Sequence, residues 1–210
     1  MDKLNLRKQY KNLYSPSAKQ VELVEVPPFQ FAMIDGTIKA NESPATSADF
    51  ADAMQALYGI SYTLKFASKL RKKDPIDYTV MALEALWWVK NDDFEFGKKQ
   101  AWFFTAMIMQ PPHITAEMFG DALAQLNKKK TSTALAKLRL ENFHEGQSVQ
   151  VMHIGPYSAE PATIDRMKAF MQEHNLIRNG KHHELYLGDP RKSAPKKLKT
   201  VLRQPVKPIG

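Results

Sequence analysis

The chain has 210 residues, enough for one sizeable domain or two small ones sharing a core. It contains no cysteine, which excludes disulfides, thiolate catalysis and cysteine-ligated zinc together. Its net charge of +8 is unevenly placed, since residues 189–210 alone carry seven cations against one acid. Lys3, Arg7, Lys8 and Lys11 supply much of the rest. No helix-turn-helix, zinc-finger spacing or aromatic-basic strand motif accompanies these charges, so a solvated surface is expected and nucleic acid is not. No run approaches the ~20 apolar residues of a membrane span, and the first residues lack the apolar core of a signal peptide. A cytoplasmic protein without a membrane partner is the expectation.

Residues 1–18 read as a basic arm, loosely attached, followed by a single domain over 19–210. Val21–Val26 and Phe29–Ile38 are strands around Pro27-Pro28, because β-branched and aromatic residues dominate both. Ser47 caps a helix in which Phe50, Met54, Leu57, Ser61 and Leu64 recur at helical spacing, ending near Lys69–Lys73. Tyr78–Val89 and Lys99–Met109 form a hairpin about a turn at Asn91–Asp93. Thr115–Lys130 is a second helix, with Met118, Ala122, Leu123 and Leu126 on one face. Leu138–Phe143 and Ser148–Ile154 are strands, and Ser158 caps a third helix whose stripe is Ile164, Met167, Phe170 and Met171. His182–Leu187 and Leu198–Leu202 close the chain.

The order strand, helix, strand, strand therefore occurs twice, over about 19–110 and 111–205. The fold class is α+β, with two pseudo-twofold repeats whose antiparallel sheets enclose a central cleft. Each repeat leaves one sheet face uncovered, and the two uncovered faces are expected to bury each other.

Alternation along the last-but-one strand puts His182, Glu184 and Tyr186 on one face and His183, Leu185 and Leu187 on the other. A carboxylate among aromatic rings receives flat organic molecules, or serves as a base when water is in reach. Tyr157 follows the Gly155-Pro156 turn. Glu160 stands in the first helical turn, where a helix dipole favours it, and is a second-tier site candidate. In the first repeat Glu84 shares a face with Trp88 while Trp87 points away, and an unpaired buried glutamate there is costly. Six histidines without metal-ligand spacing give no metal site. No phosphate-binding glycine loop and no Gly-x-Ser-x-Gly elbow is present.

The runs His153-Ile-Gly-Pro-Tyr157-x-x-Glu160-Pro, His183-Glu184-Leu-Tyr186-Leu-Gly-Asp-Pro190-Arg and Lys199-Thr-Val-Leu-Arg203-Gln-Pro205 resemble the stand-alone GyrI-like small-molecule-binding proteins. Tyr78-x-Val-x-x-Leu83-Glu84-x-Leu86-Trp87-Trp88 extends the likeness, which covers about Val21 to Pro205. The resemblance implies the fold of effector domains from multidrug-sensing regulators, with a glutamate on the penultimate strand meeting planar, hydrophobic or cationic ligands. Glu184 matches that position. Tyr157, Tyr186 and Trp88 match the family's aromatic positions, so Glu184 and Tyr157 are the catalytic candidates and Trp88, Tyr186, Glu84, Trp87 and His182 the ligand-binding ones, with no cofactor expected. Some stand-alone members hydrolyse cyclopropane-bearing DNA-alkylating natural products, so detoxification by a glutamate-activated water and a tyrosine donor is the implied activity. Sequestration of ligands and modulation of gyrase are its alternatives. Ala85 replaces the glycine often found in the Leu-Glu-x-Leu-Trp-Trp motif. No regulator role is expected, and a monomer is.

Overall fold

The structure, a computed structural model, describes residues 3–90, 100–129, 132–190 and 192–210, without the side chain of residue 129. The turn expected at Asn91–Asp93 lies outside the described residues, as do Lys130 and Arg191. The class is α+β, built on one large antiparallel open sheet. Its strands are β1 (Glu22–Val26), β2 (Phe29–Ile38), β3 (Leu83–Trp88), β4 (Trp102–Met109), β5 (Arg139–Phe143), β6 (Gly146–Ile154), β7 (Leu176–Arg178), β8 (His182–Tyr186) and β9 (Lys199–Pro208). The order across the sheet is β1-β6-β9-β8-β3-β4-β2-β5, with β7 attached to β9.

That order carries the pseudo-twofold. Strands β3-β4-β2 mirror β8-β9-β6, and the axis passes between the central pair β3 and β8. Each half also lends its first strand to the other, since β1 pairs with β6 and β5 pairs with β2. The halves therefore join edge to edge through β3 and β8. The face-to-face burial expected from the sequence does not occur, because backbone pairing satisfies both inner edges and makes one continuous sheet.

The principal helices are α3 (Ala48–Lys69), α4 (Ala116–Lys129) and α6 (Glu160–Glu173), with short helices α1 (Leu6–Gln9), α2 (Lys11–Tyr14) and α5 (Thr133–Ala136). Ser47 caps α3 as expected, its side chain accepting from the Phe50 amide. Helix α3 packs on β2 and β4, while α6 packs on β6 and β7, so the central strands β3 and β8 lie between them. The close seating of α3 requires Gly36, since a Cβ there would come within 2.6 Å of an Asp49 carboxylate oxygen. Helix α4 rests on α3.

The opposite sheet face is covered by the amino-terminal arm, which is not loosely attached. Leu6, Leu13 and Tyr14 are 2–3% exposed and join the main core. Leu4 also exchanges backbone hydrogen bonds with Asp77 and Thr79, both 2.9 Å. Its basic residues face solvent, while the buried Leu6, Leu13 and Tyr14 stand seven residues and then one residue apart, a spacing too irregular to read as helix from sequence.

Candidate functional site

Pairing register settles which side chains meet. Ala85 lies opposite Glu184 and Trp87 opposite His182, and directly opposite residues share a face. The helix face of the central strands thus presents Ala85, Trp87, His182, Glu184 and Tyr186 along the strip between α3 and α6. The arm face presents Glu84, Leu86 and Trp88 with His183 and Leu185.

On the helix face the polar atoms form a chain. Trp87 Nε1 donates to Tyr186 Oη at 3.0 Å, and Tyr186 Oη donates to Glu184 Oε2 at 2.7 Å. The second carboxylate oxygen of Glu184 is 3.3 Å from His182 Nε2. Both Glu184 and His182 are buried. Burial, then the Glu184 charge, holds the Tyr186 phenol well above its ordinary range, so it remains a donor. The Tyr157 ring meets the Tyr186 ring edge-on at 5.9 Å and is 38% exposed, which puts it at the outer end of the strip. Burial first, then Glu160, Glu184 and Asp189, push the Tyr157 phenol up to about 12.

The turn that delivers Tyr157 is held by His153. Its Nδ1 lies 2.9 Å from Thr163 Oγ1 and its Nε2 3.2 Å from the Pro156 carbonyl, which only accepts, so Nε2 is the donor. Gly155 has φ +149° here, and a Cβ would come within 3.2 Å of that imidazole. The expected Ser158 cap is absent. Ser158 sits in a 3-10 turn over Tyr157–Ala159, and α6 starts at Glu160 with Pro161 in its first turn. This one-turn offset swings Glu160 inward. Instead of facing solvent at a helix end, Glu160 is 1% exposed and neither carboxyl oxygen has a hydrogen-bond partner. Burial, reinforced by the Glu184 charge and opposed by the Thr200 hydroxyl, raises its pKa to about 9. The Glu160–Glu184 pair therefore retains a proton near pH 7.

The arm face holds a second polar cluster. Glu84 accepts from Tyr14 Oη at 2.5 Å and lies 3.1 Å from His183 Nε2. His183 Nδ1 and Arg203 Nη1 each lie 3.0 Å from Glu145 Oε2. Arg203 also donates to Gln150 Oε1 and to the Leu13 carbonyl, and Gln150 donates to the Asn12 carbonyl. Despite burial, the two carboxylates raise His183 to about 9, while His183 and Arg203 lower Glu145 to about 2. Two cations and two anions so compensate one another, and they fasten the arm to the sheet. The cavity here is only about 10 Å³, room for at most one water.

The seven residues singled out from sequence thus divide. Glu184, Tyr186, Trp87 and His182 come together, with Tyr157 at their rim. Glu84 and Trp88 do not join them. A single cleft holding both glutamates, as read from the sequence, is replaced by two clusters on opposite faces. Trp88 stacks on Phe103 at 5.9 Å with Lys181 Nζ 3.3 Å above its ring. From sequence Glu160 is only a second-tier site candidate, and Tyr14, Glu145 and Arg203 carry no site role. Among the described residues, no group of three or more potential ligands is arranged to hold a metal ion, and no helix is long and apolar enough to cross a membrane.

The profile of the GyrI-like small molecule binding domain matches residues 19–207. An uncharacterized conserved protein from Listeria innocua shares 36% identity, with a TM-score of 0.88 over 98% of this chain and 100% of that one. A structure described as a hydrolase from Listeria innocua shares 34% identity over the same proportions, with a TM-score of 0.81. The EcmrR C-terminal domain, 12% identical over 90% of this chain and 98% of that one, shares the fold at a TM-score of 0.55. Among proteins of curated function, none matches the chain.

Proposed function

The chain belongs to the GyrI-like small-molecule-binding family, and on that premise we propose that it binds planar, hydrophobic molecules in the strip between α3 and α6 and hydrolyses those carrying a strained cyclopropane, so detoxifying DNA-alkylating compounds. The observation that carries this reading is the Trp87–Tyr186–Glu184 chain, which aims a buried carboxylate into a strip walled by aromatic rings. Support for hydrolysis, beyond binding, comes from the 34% identity to a protein described as a hydrolase.

In this reading the substrate lies against Tyr186 and Tyr157, and Glu184 orients and deprotonates the attacking water. Tyr186 and His182 hold the carboxylate in place, leaving one oxygen lone pair to reach the water. Opening the ring also needs a donor at the oxygen that gains charge, and Tyr157 stands near enough to Glu184 for its phenol to feel that charge. Trp88 has no part in holding the substrate, since it lies on the arm face.

The test is turnover of a cyclopropane-containing alkylator by the purified protein, followed by mass spectrometry. A product heavier by one water is expected. Tight binding of the alkylator with no such product would leave a sequestering protein instead of an enzyme.

A further inference from the structure

The strip contains more proton-holding groups than the reading above uses. Tyr186 spends its hydroxyl hydrogen on Glu184, and Trp87 spends its indole hydrogen on Tyr186. Neither is available to a substrate. Glu160 differs from both. It is buried, its two oxygens have no hydrogen-bond partner, and it lies close enough to Glu184 for the two charges to repel. The Thr200 hydroxyl on β9 is fully buried and close enough to lower the Glu160 pKa, although no well-formed hydrogen bond joins the two. An unpartnered buried carboxyl costs stability wherever it stands, because it gives up water and gains nothing in return. Its placement is fixed from two sides, by Pro161 at the start of α6 and by the His153–Thr163 bond that anchors the preceding turn.

We infer, building on the hydrolase reading, that Glu160 supplies the proton at this site and Glu184 accepts one, while Tyr157 only hydrogen-bonds the oxygen that gains charge. The step balances without any further reactant. The water oxygen bonds to the ring carbon, the ring C–C bond breaks, and its electron pair runs to the conjugated oxygen of the substrate. That oxygen takes the proton of Glu160, and the second water proton goes to Glu184. One proton passing from Glu184 back to Glu160 restores both carboxyls. The assignment selects a neutral electrophile with an acceptor oxygen conjugated to its strained ring. The acidity order agrees, since Glu160 lies at about 9 and Tyr157 at about 12, so Glu160 gives up a proton more readily near neutrality.

Glu160→Gln preserves size and donor capacity but has no acidic proton. With the cyclopropane-containing alkylator as probe, kcat is expected to fall about 100-fold or more while ligand affinity stays within about threefold. The wild-type rate is expected to decline as pH passes about 9, where Glu160 ionises, and the variant's residual rate to lose that limb. Independently of turnover, the infrared carbonyl band of a protonated carboxylic acid is expected in ligand-free wild-type protein at pH 7 and absent from the variant. Wild-type turnover by Glu160→Gln, or survival of that band in it, overturns the donor role. An intact probe after incubation with wild-type protein defeats the hydrolase reading itself, so the two failures are distinct.

Discussion

Glu184→Gln retains affinity for planar ligands within about threefold and loses hydrolytic turnover by about 100- to 10,000-fold. The substitution is nearly isosteric. Its amide oxygen still accepts from Tyr186 Oη, and the Trp87 indole still donates to Tyr186, so the walls of the strip stay in place. What disappears is the capacity to take a proton from water. Rates measured over a ligand series separate the two effects, because removal of a transition-state interaction lowers kcat without raising KM. Hydrolysis by this variant at the wild-type rate removes Glu184 from the mechanism.

Arg203→Met lowers stability by about 3–5 kcal/mol, because it leaves Glu145 buried with one cation in place of two. Arg203 also closes the Leu13 carbonyl and both guanidinium contacts to Gln150, so its loss frees the arm as well. The experiment belongs between about pH 4.5 and 6.5. His183 is raised to about 9, so its contribution is complete below its ordinary value of 6.5 and is lost as pH climbs through 9. Glu145 is lowered to about 2, so its contribution is complete above 4.5 and is lost as pH falls through 2. Within that window a loss of 3–5 kcal/mol corresponds to a melting point lower by roughly 10 °C for a domain of this size. The arm should also become the first site of proteolysis. A drop of less than about 1 kcal/mol contradicts the role given to the cluster.

Much of the fold was legible because its signals are local. The Ser47 cap, the apolar spacing through Phe50, Leu57 and Leu64, and the mix of aromatic and β-branched residues in β2 each need only their neighbours to be read. The strand β7 is three residues long and carries no usable periodicity. The exchange of β1 and β5 between halves depends on register with strands far away in sequence, which no local pattern encodes. Alternation correctly separated Trp87 from Trp88 and Glu184 from His183. It could not say which faces of the two repeats would coincide. Once β3 and β8 pair, Glu84 must fall opposite the side of the sheet that holds Glu184. Glu160 ranks only second-tier from sequence for a related reason: its inward direction follows from a 3-10 turn, and at a helix start a glutamate ordinarily faces water.

The proposed binding strip places ligands on the helix face of the sheet and leaves the arm face empty. Affinity for one planar aromatic ligand, measured by titration across Tyr157→Ala and Trp88→Ala, tests it directly. Both side chains are partly exposed, so neither change empties the core. Loss of one aromatic contact is worth about 1 kcal/mol or somewhat more, so Tyr157→Ala should weaken binding roughly tenfold and Trp88→Ala by less than about twofold. The opposite order would place the ligand on the face with Glu84 and contradict the account.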